Sequence, residues 1–223
     1  KHHDEKLSVE EKIILYLNCH ERDWVPDQEL IFGDECKFNW EEIYNILRPY
    51  FNNSLSNLDQ VLLSDYNGKL LHNMQPLYSL IHEYFGVTNI TPIQNNKTIR
   101  LSCELDASKK YFFPTNTGKI PLVNLMEKYQ LTNLISQKKQ GFSVNTVNMW
   151  ESYAKKIFLY YFDNSRLIEN NIINSDWIES NIEKNEPNVR YINKFLGLLA
   201  LEIWYRLFIT KDMDSNEKLN QGF

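Results

Sequence analysis

No two glycines are adjacent anywhere in this chain of 223 residues, and only seven glycines occur in all. A backbone that closes its N–H groups around a phosphate needs glycines in the turn. The nearest candidate, Ser54-Leu55-Ser56-Asn57-Leu58-Asp59, contains none, so a glycine-rich phosphate loop is excluded within these residues. Cysteine is equally scarce. Cys19, Cys36 and Cys103 are widely spaced and odd in number, which does not suit a disulfide framework. They read as buried thiols in a reducing cytoplasm. Cys19-His20 and Glu35-Cys36 lack the C-x-x-C or H-x-x-x-H spacing that closes a tetrahedral site, and no metal is expected. The longest apolar run, Phe195 to Ile203, is interrupted by Glu202 and is far too short to span a bilayer, so no membrane helix is expected. A formal charge of −5 provides no broad basic field, which disfavours nucleic acid, although local Lys pairs could meet a small phosphate.

What is present is the composition of a folded protein, 43% apolar and 24% charged, expected as one domain over residues 1–223 with residues 211–223 as a flexible tail. His2-His3-Asp4-Glu5 reads as a flexible or added tail, with cleavage or a separate upstream chain as the alternatives. Helix signals recur and strand signals do not. Ser8 and Glu11 form a capping box ahead of Ile13, Ile14 and Leu17, predicting a helix over 9–20. Asn39 with Glu42 predicts a second, carrying Trp40, Ile43, Ile46 and Leu47, which Pro49 should stop or kink. Ser56 with Asp59 starts a third, which Asn67-Gly68 should break. Residues 74–85 read as a helix capped by Gly86, and Val87 to Pro92 as a connector. Lys109 to Gly118 reads as a loop before a helix through Leu122, Leu125 and Met126. Amphipathic helices are expected over 145–162 and 187–210, with a shorter one around Asp176 to Ile182. The fold class expected is all-α.

Three segments in order carry the functional signal: Thr117-Gly118-Lys119, then Gln137-Lys138-Lys139-Gln140-Gly141-Phe142-Ser143, then Leu196 to Phe208 with Glu202, Trp204, Arg206 and Phe208. This order resembles the C-terminal end of the synthetase domain of asparagine synthase-type enzymes. The resemblance implies the helical C-terminal lobe of an adenine-nucleotide α-hydrolase-like α/β domain whose nucleotide-binding portion lies outside these residues. It also implies ATP-dependent amide formation with ATP and Mg²⁺, by adenylation of a carboxylate and then amidation. The nucleotide is not expected to bind this chain alone.

Lys139 matches the last Lys of the family's basic loop, which contacts the phosphates, and is the catalytic candidate; Lys138 and Lys119 are further phosphate-binding candidates. An ammonium on a Gly-hinged loop suits a departing pyrophosphate, although a Lys pair alone is more often a solvated turn. Gln137 stands where the family has Arg, Val123 replaces another Arg, and Thr88 falls where the family has Glu. Asp65 matches an Asp better explained by structure than by chemistry. Glu202 and Arg206 are spaced to pair on one helix face, a structural role. The partners implied are an upstream α/β nucleotide-binding portion or a partner chain, with a homodimer left open. The rival expectation is a non-catalytic scaffold or partner-binding protein that retains this lobe.

Overall fold

A computed structural model describes residues 7–19, 27–135, 145–183 and 188–219. The chain is predominantly helical, with a single two-stranded sheet among the described residues. It divides into two compact units, one of Lys1–Ile13 and Tyr44–Gln140, the other of Ile14–Ile43 and Gly141–Phe223. The division falls within the first two helices, α1 (Val9–Asn18) and α2 (Trp40–Phe51).

In the first unit, the capping box closes as its sequence requires: the Glu11 amide donates to Ser8 Oγ at 3.2 Å and the Ser8 amide to Glu11 Oε2 at 2.8 Å. Pro49 neither stops nor visibly shortens α2, which runs on to Phe51, because the helix ends within a turn of the proline and few bonds are left to lose. Helix α3 (Asn57–Ser64) starts at Ser56, whose hydroxyl accepts from the Asp59 amide at 3.2 Å. Gln60 on α3 is 1% exposed, and its side chain holds the unit's polar centre. Its amide group donates to the carbonyls of Phe51 at 3.2 Å and Asn53 at 3.1 Å, and its oxygen accepts from Lys12 Nζ at 3.2 Å. Asp59 meets Lys110 at 3.1 Å.

Asn67-Gly68 does not break α3. The helix continues as a π-helical stretch, Asp65–Met74, into α4 (Gln75–Tyr84). Asn67 donates from its side chain to the Leu63 carbonyl at 2.9 Å, and Gly68 keeps a negative φ, so the pair stays helical rather than turning. The wider π turn accommodates a mismatch that an α-helix would resolve by ending. Gly86, at φ +65°, ends α4, and the connector that follows leads to α5 (Asn96–Glu104), a helix with no counterpart in the sequence reading. Its start is capped by Asn95, which accepts from the amides of Lys97 and Thr98, both at 3.1 Å. The stretch read as loop is partly built: α6 (Ala107–Lys110) leads into a hairpin of β1 (Tyr111–Phe112) and β2 (Thr117–Gly118), antiparallel with Tyr111 opposite Gly118. Then comes α7 (Ile120–Lys128), with Pro121 tolerated in its first turn.

The second unit holds the larger core. Its elements are a 3₁₀ turn at Gln28–Ile31, α8 (Thr146–Met149), a π turn at Trp150–Ala154, α9 (Lys155–Asp163), α10 (Arg166–Glu169), α11 (Ser175–Ile182), α12 (Val189–Tyr205) and a closing π turn, Arg206–Thr210. Phe195 on α12 is the aromatic hub. It stacks on Trp150 at 5.3 Å and meets Phe158 at 5.1 Å and Trp177 at 5.5 Å between ring centroids. Residues 31–35 are laced to 171–174 by backbone bonds: Gly33 to Ile172 at 2.8 Å, Glu35 to Asn171 at 3.1 Å and Asn174 to Ile31 at 2.9 Å. Asn171 adopts the left-handed conformation there, at φ 53°, which asparagine tolerates better than most residues. After the π turn, Asp212 pairs with Arg166 at 2.6 Å and Met213 packs against the core. The three cysteines, expected as buried, are all exposed. Cys36 sits in a short 3₁₀ turn and Cys103 on the open side of α5, so neither contributes to a core.

Candidate functional site

The charged centre of the second unit grows from the i, i+4 spacing of Glu202 and Arg206. Glu202 faces the core and is fully buried, an expensive position for a carboxylate unless every lone pair is used. Four donors meet it: Ser165 Oγ at 2.7 Å, the Arg166 amide at 2.9 Å, the Leu167 amide at 3.1 Å and Arg206 Nε at 2.6 Å. The first turn of α10 thus finds in Glu202 the acceptor that its free amides require. Ser165 also accepts from the Ile168 amide at 3.2 Å, closing the cap. Arg206 in turn donates from Nη2 to the carbonyls of Tyr161 at 3.1 Å and Asn164 at 2.6 Å, which end α9. Its guanidinium carbon stands 5.5 Å from the centre of the Tyr161 ring.

Beside this knot lies a cleft of about 500 Å³, lined by Lys156, Leu159, Tyr160, Asp163 and Asn164 of α9 and its end, and by Arg206. Helical spacing puts residues 156, 159, 160 and 163 on one face of α9. The order along the cleft is cationic, then apolar and aromatic, then anionic. Among the described residues, neither Nη1 of Arg206 nor the ammonium of Lys156 has a hydrogen-bond partner.

A second carboxylate, Asp27, joins two aromatic side chains: Trp177 Nε1 donates to Oδ2 at 2.7 Å and Tyr191 Oη to Oδ1 at 2.8 Å. Burial, the hydrogen bond to Asp27 and the Asp27 charge push the Tyr191 hydroxyl up to about 12. Burial, then the charge of Glu217 and a 3.4 Å bond to it, raise Tyr161 as well. Asp212 is held below the ordinary carboxylate range chiefly by the Thr210 hydroxyl, and next by Arg166.

None of the sequence-derived candidates that the structure describes is among the residues lining this cleft. Lys138 and Lys139, with Gln137, lie outside the described residues. Lys119 precedes α7 in the left-handed conformation at φ 58°, exposed, with no bond from its ammonium among the described residues. Thr88 is exposed in the connector after Gly86, and Asp65 opens the π stretch of the long helix. No group of three or more His, Cys, Asp or Glu side chains placed to hold a metal occurs among the described residues. No helix among them is long and apolar enough to cross a membrane. Sequence reasoning saw the Glu202–Arg206 pair but missed Ser165, Asp27 and Gln60. For Ser165 a signal existed, since Asn164-Ser165 before Leu167 and Ile168 is a helix-start pattern.

No protein-family model matches this chain, and neither a curated protein nor a solved structure matches it.

Proposed function

We propose that this chain is a helical lobe of an ATP-dependent amide-forming ligase resembling the asparagine synthase type, with the nucleotide held by a separate α/β portion of the same protein or of a partner. The observation that carries the reading is the closing helix. The segment resembling the family's E-x-W-x-R-x-F pattern pairs Glu202 with Arg206 at 2.6 Å and uses that pair to fasten α12 to the ends of α9 and α10. Such a lobe supplies rigidity and, as the resemblance implies, the cation of Lys139, rather than a site complete in itself.

A second reading, a scaffold or partner-binding protein that retains the lobe without its chemistry, is favoured by a different observation. Large apolar side chains stand open in the first unit, among them Tyr84 at 84%, Ile90 at 76% and Phe85 at 70% exposure. Thr88 and Gln137, which replace family Glu and Arg, point the same way.

The experiment that separates the two is ATP-dependent pyrophosphate release by the complete protein over a panel of carboxylates that begins with aspartate. Carboxylate-dependent release supports the ligase reading. Its absence across the panel, in a protein that still retains a partner through the first unit, supports the scaffold. Calorimetry of this chain alone with MgATP should show no binding in the low micromolar range; a dissociation constant there would overturn the division of labour.

A further inference from the structure

We propose that the cleft beside α9 is a docking site for a short peptide segment in the polyproline II conformation that carries one acidic and one basic side chain three residues apart. The charge layout selects this ligand. Lys156 and Asp163 are seven residues apart on one helix face, a separation of about 10 Å at the helical rise. A peptide in the polyproline II conformation repeats every three residues with a rise of about 3.1 Å, so side chains three residues apart lie on one face about 9 Å apart. Between the two charges Leu159 and Tyr160 are 43% and 52% exposed and form an apolar wall wide enough for the intervening side chains.

Arg206 separates this site from a simple anion site. Its positive charge is already met by the buried carboxylate of Glu202 at 2.6 Å, and Asp163 offsets Lys156, so the cleft has no net charge with which to attract phosphate. What remains on Arg206 is Nη1, an N–H donor without a partner among the described residues, in a guanidinium locked by three bonds. A locked donor of this kind matches a neutral acceptor such as a peptide carbonyl, and it loses little entropy when it bonds. A free amino acid could satisfy one end of the cleft but would leave the other charge unmatched.

The test uses the full chain, isotopically labelled, titrated by NMR with four blocked peptides of equal length: Glu-x-x-Lys, Lys-x-x-Glu, Glu-x-x-Glu and Lys-x-x-Lys, with Ala and Leu between the charges. A mixed-charge peptide should bind tighter than either like-charge peptide by about two- to fivefold per charge and shift the resonances of residues 156–164. Lys156→Glu should move the preference to Lys-x-x-Lys, and Asp163→Lys should move it to Glu-x-x-Glu. Both positions are exposed, so the melting temperature should be unchanged and loss of fold is not a confounder. Indifference among the four peptides, preferences unmoved by the two variants, or the same shifts produced by inorganic phosphate would each overturn the proposal.

Discussion

Glu202 and Arg206 stand one helical turn apart, and between them they hold the ends of three helices: the carboxylate takes the first amides of α10, the guanidinium takes the last carbonyls of α9, and both belong to the end of α12. Neither half is dispensable in isolation. A fully buried carboxylate is tolerable only while its four donors remain, and the guanidinium, 16% exposed, has little water to fall back on.

Removing one partner should therefore cost more than removing both. Glu202→Ala leaves Arg206 uncompensated and two amides bare, and a loss of about 3–5 kcal/mol is expected from chemical denaturation. Glu202→Gln keeps one acceptor oxygen and should fall between. The double change Glu202→Leu with Arg206→Met should be more stable than either single alanine variant, and only if it matches the parent chain does the pair give no net stability. Strict additivity of the single losses would show that the two side chains do not act together.

Gly33 should be intolerant of any side chain. Its backbone, at φ −82° and ψ 172°, is one that every residue adopts, so conformation is not the constraint. Space is: a Cβ there would lie 2.7 Å from both the carbonyl carbon and Oδ1 of Asn171, closer than real contacts allow. Because the obstacle is mainly backbone held in the lacing of 31–35 to 171–174, it cannot swing away. Gly33→Ala is expected to destabilise by about 1–3 kcal/mol, read as a lowered melting temperature. An unchanged melting temperature would mean that this lacing is slack.

Much of the helix pattern was legible because it is local. Ser8 with Glu11, Ser56 with Asp59, and Gly86 act within a few residues of themselves, and each does in the structure what its type and spacing require. Legibility failed where a local preference was outweighed. Asn67-Gly68 is a turn signal worth about 1 kcal/mol against helix, less than the bonds that continuing the helix keeps. Helix α10 is only four residues long, too short for any periodicity to show, and its amides are satisfied from a residue thirty-five positions away in sequence. The i, i+4 spacing revealed that Glu202 could reach Arg206, but nothing in the spacing said that the carboxylate would be sealed from water. Asp27 reads as an ordinary turn residue, and its two aromatic donors lie 150 and 164 positions downstream.

One of those two donors, the Tyr191 hydroxyl, gives the protein an alkaline limit. Tyr191 titrates at about 12 in the folded chain, against an ordinary value of 10.0, so the folded state holds this proton after the unfolded state has lost it. A raised folded value means that its contribution is intact below pH 10 and is lost as pH rises from 10 toward 12. Asp27 is the side chain bonded to the hydroxyl. Melting followed across this range should fall more steeply for the parent chain than for Tyr191→Phe. Identical profiles would remove Tyr191 from the linkage.

The sharpest functional expectation rests on Lys139. Adenylation places negative charge on the α-phosphate and on the departing pyrophosphate, and a cation on a Gly-hinged loop can meet that charge mainly in the transition state. A contact made chiefly there lowers the barrier without tightening the ground state, so its loss should appear in turnover. In the complete protein, Lys139→Ala should reduce pyrophosphate release by about a hundredfold or more with a smaller change in apparent affinity for ATP. Lys138→Ala should be milder, since the resemblance matches Lys139, and not Lys138, to the Lys that contacts the reacting phosphates. Lys119, exposed and left-handed at the start of α7, serves as a comparison on a different element. Equal and mild effects at 138 and 139 would return the basic segment to a solvated turn and leave the scaffold reading as the better account of the chain.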